Sequence, residues 1–342
     1  MRSTLRTVVV VLSVLFLVAS MATAQDLSQQ IAKLGHNAAV SYVTPLFQGW
    51  AADLNSAIYH SADLHDILGF DIGVKISAAR IQDEDKTYQF TMPSTLTVSY
   101  PGFGSVVLTG GANGSGNYDL VTTAPTAVGA KDAVPITIRN LTGAASALNG
   151  KEIVRLPGGF APGAIGVPLV APQVAIGLPL GFEVIGRFIP TVKLGDYGKI
   201  NFLGFGLRHD IDQYIPMCPV DIAIHFMTQK FTLKDSADSN ILTGSGTAFG
   251  VEVSKKLFIL TLYGGLQIES GKFELSDFKA TYVDPASQSL VTGTVPGFTI
   301  ESKNKSRFTV GARLLLLFIN AHVEYSFAKM PVLAAGVGIT LR

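Results

Sequence analysis

The chain has 342 residues, 48% hydrophobic and only 15% charged, with a net charge of +1 and a mean hydropathy of +0.37. So even a balance offers no electrostatic footprint for nucleic acid or an anionic surface, and excludes partners of that kind. No membrane-helix run follows the first residues, so the apolar excess is spread through alternating segments, as in a barrel wall.

Residues 1–24 carry Arg2 and Arg6, an apolar run over 8–18, and Ala22-Thr23-Ala24 as a cleavage site before Gln25. This reads as a secretory signal peptide. No cysteine follows the site, so lipoprotein anchoring is not indicated. The single cysteine, Cys218, cannot form an internal disulfide, and an exported chain without one must be held together otherwise. Barrel closure does so.

Residues 26–65 are helical in pattern. Leu46, Trp50, Leu54 and Ile58 recur every four residues, behind Thr44 and Pro45 at cap and first-turn positions, which predicts a helix over 45–59. Leu27, Ile31 and Leu34 predict a shorter helical segment ahead of it. Such a stretch must pack somewhere, and a lumen is the large cavity available, so 25–68 is read as a plug with the barrel over 69–342. A periplasmic helix lying against the rim is the alternative, because amphipathicity does not locate the partner surface.

The first strand spans 69–81, with Phe70, Ile72, Val74, Ile76 and Ala78 outward and Asp71, Gly73, Lys75 and Ser77 inward. Asp83-Glu84-Asp85-Lys86 makes a charged reversal. Short strand candidates follow at 96–100, 105–109, 120–123, 134–139 and 152–156, and their number is left open. Residues 156–182 lack charge, but Pro157, Pro162, Pro168, Pro172 and Pro179 exclude a continuous helix. The first half is an irregular apolar loop, tolerated where protein or a cavity covers it.

From 173 onward strands are predicted near 174–190, 198–211, 219–233, 245–255, 257–282, 297–318, 319–328 and 332–341. Residues 307–327 show the alternation most cleanly. Phe308, Val310, Leu314 and Leu316 face one way and Arg307, Thr309 and Arg313 the other; after a reversal at Leu317 and Phe318 the pattern resumes. Gly204 and Gly206 mark a predicted β-bulge where parity shifts. Outer-membrane barrels have short periplasmic turns and longer outer loops. Counting back from a periplasmic C-terminus puts 317–318 and 254–256 inside and 233–243 and 283–296 outside. The long pair exceeds the bilayer, so Lys272, Glu274, Asp277, Lys279, Glu301, Lys303 and Lys305 belong to an exposed hairpin. The fold expected is all-β: a transmembrane antiparallel barrel of about 12–14 strands with an N-terminal helical plug.

The inward residues are Asp71, Lys75, Glu183, Arg187, Arg208, Asp221, His225, Glu252, Arg307, Arg313, His322 and Glu324. Both signs occur in near-equal number, which argues against an ion-selective pore. They either pair across the lumen, holding wall and plug together, or line a polar pathway. His60, Asp63, His65 and Asp66, and separately His209, Asp210 and Asp212, have metal-like composition without a metal's spacing, so no metal and no cofactor is expected. No G-x-S-x-G occurs, and a lone His on a strand, such as His225 or His322, is not a nucleophilic arrangement. Catalytic groups of an embedded lipase or protease need not be adjacent in sequence, but nothing points to one, and no covalent chemistry is expected.

Ala124-Pro125-Thr126-Ala127-Val128-Gly129, Leu156-Pro157-Gly158-Gly159, Pro172-Gln173, and Gly206-Leu207-Arg208-His209-Asp210-Ile211 running into Tyr214-Ile215-Pro216 carry a resemblance. The chain resembles outer-membrane barrels of the long-chain fatty-acid transporter type, and an uncharacterised group of these from Bacteroidetes-like bacteria. The resemblance implies a 14-stranded barrel plugged by N-terminal helices, through which hydrophobic molecules enter from outside and leave sideways. In place of the family's Asn-Pro-Ala motif the chain has Asp53-Leu54-Asn55-Ser56-Ala57. Its C-terminus, Thr340-Leu341-Arg342, lacks the usual terminal aromatic residue, although Leu341 continues the outward register of Leu333, Ala335, Val337 and Ile339. The expected protein is a monomer in the bacterial outer membrane, with lipid and the barrel-assembly machinery as partners. Passive uptake of small hydrophobic molecules is its expected function, the alternative being a non-transporting structural or docking barrel of a surface or secretion complex.

Overall fold

The computed structural model describes residues 36–160, 166–193, 198–235, 238–283 and 290–341. The expected signal peptide and the segment around Leu27, Ile31 and Leu34 lie outside these residues.

Ten antiparallel strands form a closed wall: β1 (Phe70–Ala79), β2 (Val167–Leu178), β3 (Phe182–Lys193), β4 (Lys199–Asp210), β5 (Asp221–Lys234), β6 (Asn240–Leu257), β7 (Leu260–Leu275), β8 (Ser306–Leu316), β9 (Ile319–Phe327) and β10 (Val332–Leu341). Each pairs with its sequence neighbour, and β1 with β10, from Phe70 opposite Leu341 to Ala79 opposite Val332, closes the ring. Closure leaves no unpaired edge, the condition for strands to cross lipid. The alternation sets the two faces. Ile72, Phe188, Leu203, Phe226, Leu266, Val323 and Val337 are exposed outward, whereas Asp71, Lys75, Glu183, Arg208 and Arg307 are buried inward.

Ten strands replace the 12–14 expected and the 14 that the resemblance implied. The short strands between 87 and 156 are two to eight residues long and pair only among themselves. Crossing a bilayer takes about 9–11 residues, so they cannot be wall. They form a cap inserted between β1 and β2. In the other direction, the single strand predicted over 174–190 is a hairpin. Pro179 lacks an N–H, Leu180 has φ 64° and Gly181 φ 69°, and together they turn the chain between β2 and β3.

The predicted bulge at Gly204 and Gly206 is absent. β4 runs in unbroken register with β5, and the irregularity lies in β3, between Ile189 and Val192. What looked like a parity shift is one inward face changing chemistry, from Ile200 and Phe202 in an apolar half of the lumen to Arg208 in a polar half. The glycines between them leave room for Met227, whose Sδ would lie 2.6 Å from a Cβ at position 206.

One helix, α1 (His36–Leu54), stands inside the ring. It begins nine residues before the predicted start, with Pro45 in its interior. Proline there removes one backbone donor. The Thr44 hydroxyl, expected as a cap, instead donates back to the Val40 carbonyl (2.6 Å). The helix is apolar nearly all round, as a helix enclosed on every side must be. Tyr42, Phe47 and Leu54 pack with wall residues Phe202, Leu242 and Phe273 and with cap residues Leu96, Leu108, Tyr118 and Ile136. Phe47 stacks on Phe273 at 5.6 Å, and the Trp50 indole N–H donates to the Pro168 carbonyl (3.3 Å).

The connections at the C-terminal end of the barrel have two to ten residues: 179–181, 211–220, 258–259 and 317–318. The opposite end carries the cap (80–166) and the connection 276–305, which holds the hairpin of Phe278–Val283 and Leu290–Val295. The loop-length rule predicts that the C-terminal end faces the periplasm. The predicted projecting hairpin is only partly free. Lys272 and Glu274 pair in solvent (2.7 Å), as do Lys305 and Glu301 (3.0 Å), but Lys303 bonds the buried Asp85 of the cap.

Candidate functional site

Below α1 the chain runs as an irregular segment, residues 55–65, from the capped end of the lumen to the short-turn end. A segment enclosed without a ladder partner must find donors and acceptors for its backbone elsewhere. Here the wall side chains supply them. The guanidinium of Arg307 donates to the Ala52 carbonyl (2.7 Å) and to the Ser56 hydroxyl. Gln267 donates to the Asn55 carbonyl (3.1 Å), Gln173 to that of Ile58 (3.0 Å), and Arg208 to that of Ser61. In the other direction, Glu324 accepts from the Ala57 N–H (3.0 Å), the Ser254 hydroxyl from Ala62 (3.0 Å) and Glu183 from His65 (3.3 Å).

Arg187 is the most fully engaged. It donates to the carbonyls of Leu54 (3.1 Å), Ser56 (2.8 Å) and Ala57 (2.8 Å), and to the amide oxygens of Gln173 (2.9 Å) and Gln229 (2.9 Å). That uses all five N–H donors of a guanidinium, each on a neutral oxygen.

The other predicted residues fall into three groups. Near the short-turn end Arg208 bridges Glu183 (2.5 Å) and Glu252 (2.6 Å). Glu183 also meets His65 Nδ1 (2.6 Å), and His225 lies 3.5 Å from Glu252. His65 Nε2 reaches Thr340 (2.8 Å). A second group joins Asp71, His60 (3.4 Å) and Asn320 (2.5 Å), with Lys75 3.4 Å from His322, whose ring lies 4.8 Å from that of His60. In the third, Arg307 pairs with Glu269 (2.7 Å), and Glu324 accepts from the Tyr263 hydroxyl (3.1 Å). Arg313 is buried on the same face. Asp221 stands apart at the short-turn rim, where it accepts from Ser254 (2.8 Å) and is only half-buried. Of the residues read as plug, Leu46, Trp50 and Leu54 lie on α1, and buried Ile58 follows it in the irregular segment.

Sequence reasoning passed over Glu269 and the neutral donors Gln173, Gln229 and Gln267. Parity held the signal for the last, since Gln267 alternates with exposed Leu266 and Ile268. Of the two metal-like clusters, His60 and His65 serve the luminal network, while His209 stacks on Phe182 (4.1 Å) and bonds Tyr214 (3.1 Å). No group of three or more His, Cys, Asp or Glu among the described residues is placed to hold a metal ion.

A closed antiparallel wall, apolar outside and charged within, defines an outer-membrane-type β-barrel. The chain belongs to DUF6588, a family of unknown function, whose profile matches residues 1–341. No curated protein matches it. Among solved structures it is similar to Ail, the attachment invasion locus protein of Yersinia pestis, in complex with the heparin analogue sucrose octasulfate (12% identity, 47% of this chain and 92% of that one, TM-score 0.23). It is also similar to a loop-deletion variant of OmpT, an outer membrane protein of Vibrio cholerae (8% identity, 80% and 98%, TM-score 0.25), and to the transport unit of the autotransporter AIDA-I from Escherichia coli (7% identity, 87% and 99%, TM-score 0.29). At these scores the fold stands on the strand pairings themselves.

Proposed function

We propose that the protein is a resident outer-membrane barrel that docks or supports other surface components, with residues 36–65 acting as a fixed plug. One observation carries the reading. The backbone of 52–65 is bonded along its length by buried wall side chains, Arg187 alone taking three of its carbonyls. Releasing the segment would strand several buried polar groups at about 1–3 kcal/mol each, so the resting lumen does not conduct. The cap over 80–166 then offers the outward surface for a partner. Neither covalent chemistry nor a cofactor enters this reading.

Passive uptake of small hydrophobic molecules, which the resemblance implies, is favoured by a separate observation: the capped half of the lumen is apolar, lined by Phe47, Trp50, Phe202 and Phe273. Such a molecule would be at home there, but onward passage requires the 55–65 segment to move. Purified protein in planar bilayers and in liposomes separates the two. The docking reading expects wild type to match empty membranes for ions and for a hydrophobic fluorescent solute, and a chain lacking 26–65 to conduct ions. Accelerated entry of the hydrophobic solute through wild type would establish transport instead.

A further inference from the structure

Five connections gather at the short-turn end: the residues entering β1 and the turns β2–β3, β4–β5, β6–β7 and β8–β9. Each carries a large apolar residue at positive φ: Leu68 (66°), Leu180 (64°), Met217 (56°), Phe258 (62°) and Leu317 (57°). Their exposure runs from 77% at Leu68 to 98% at Met217. Glycine or asparagine takes this backbone region easily, and a bulky side chain rarely does. Every tip thus holds, in an unfavourable conformation, a side chain that water does not favour. Recurrence at all five connections makes this a property of the rim and not of one turn.

The length of the wall says what covers the rim. On β9 the outward apolar row runs from Phe327 to Ile319, and the exposed Lys329 follows Phe327 on the capped side. On β8 it runs from Phe308 to Leu316, with the exposed Lys305 beyond Phe308. Eight residue steps at about 3.4 Å, tilted by about 45°, span roughly 19 Å of membrane normal, against an apolar belt of about 25 Å. The rows fall short by about 6 Å on the turn side. The tips lie there, in continuity with the lipid-facing surface through exposed Leu316, Phe318 and Ile259.

We propose that the short-turn rim is a membrane anchor, with its five tips seated in the acyl region of the adjoining leaflet and not standing in the periplasm. Lys255 and Lys256 lie near the end of β6, on the wall side of the Phe258 tip, and Asp63, Asp66, Asp210, Asp212 and Asp221 share this end. The tips therefore enter the acyl region only with these side chains reaching back to the phosphate level. Lys255 reaches back to the Pro219 carbonyl, as a snorkelling side chain does.

Trp50 is the only tryptophan, so Leu317→Trp and, separately, Phe258→Trp in a Trp50→Phe background report the rim, with Lys151→Trp in the cap as the aqueous control. The probes are liposomes of phosphatidylethanolamine and phosphatidylglycerol with or without bromine on the acyl chains, with acrylamide added to the water. Rim tryptophans are expected to be quenched at least twofold by brominated chains and several-fold less than the control by acrylamide. Emission and acrylamide quenching equal to the control would overturn the proposal. Protection from acrylamide without bromine quenching would also overturn it, and would indicate a protein partner or a second copy on the rim. If Trp50→Phe loses heat-modifiable gel migration, nitroxide at Leu317→Cys in a Cys218→Ser background gives the same answer from its relative accessibility to oxygen and a polar nickel chelate.

Discussion

At the scale of single residues, the lumen uses arginine in two ways. Arg187 binds only neutral oxygens and acts as a multidentate clamp on the chain, whereas Arg208 neutralises two buried carboxylates, Glu183 and Glu252. Removing the second kind strands charge. Arg208→Met is therefore expected to destabilise the barrel by about 3–5 kcal/mol, and adding Glu183→Gln and Glu252→Gln should restore part of the loss. Urea unfolding in detergent, followed by heat-modifiable migration, measures both. In the cap, Arg139 donates two hydrogen bonds to Asp119 (2.6 and 2.8 Å), which hold that carboxyl below its ordinary value. The sign follows from the depression: the stabilisation is present above the unfolded carboxylate value and is lost as pH falls through the folded one. The pair is half-exposed, so the effect is small and local. The Arg139 amide, bonded to the Asn117 carbonyl (2.8 Å), should exchange faster at about pH 3 than at about pH 6 after correction for intrinsic rate. In Asp119→Asn that acceleration should disappear.

At the scale of elements, the luminal segment and the wall are shaped to each other. A Cβ at Gly265 would lie 2.3 Å from the Tyr59 hydroxyl and 2.5 Å from the Val251 carbonyl. One contact is the end of a side chain and the other is backbone, so only the first can yield. Gly265→Ala is expected to cost about 1–3 kcal/mol and to push Tyr59 off the wall. Faster amide exchange across 57–62 than in wild type would register the displacement, and unchanged exchange there would refute the fit. The same closeness explains why helical periodicity misplaced α1. Burial on all sides removes the polar stripe that marks a helix's boundaries, and Pro45 resembles a start signal although it sits inside.

At the scale of the whole molecule, connection lengths predict an orientation with the cap outside. Lys151 is an exposed cap residue, and Cys218 lies in a short-end connection. In a Cys218→Ser background, Lys151→Cys should react with a membrane-impermeant maleimide on intact cells, without outer-membrane permeabilisation. Labelling only after permeabilisation would invert the assignment.

Period-2 alternation in the sequence determined which residues of each wall strand meet lipid and which face inward, because side-chain direction in a strand is a local property. The uneven connections of the C-terminal half predicted only which ends of its strands carry the longer loops; the cap came from the tertiary structure. Strand number required the tertiary structure: only ring closure shows that the 87–156 strands pair among themselves, and that Pro179-Leu180-Gly181 ends a strand where apolar residues continue on both sides. Tertiary structure also decided the use of each inward side chain. Glu324 accepts from Ala57 and Arg307 donates to Ala52 across more than 250 residues of sequence. Parity says that such residues turn inward, but their partners depend on how a separate segment is threaded through the closed ring.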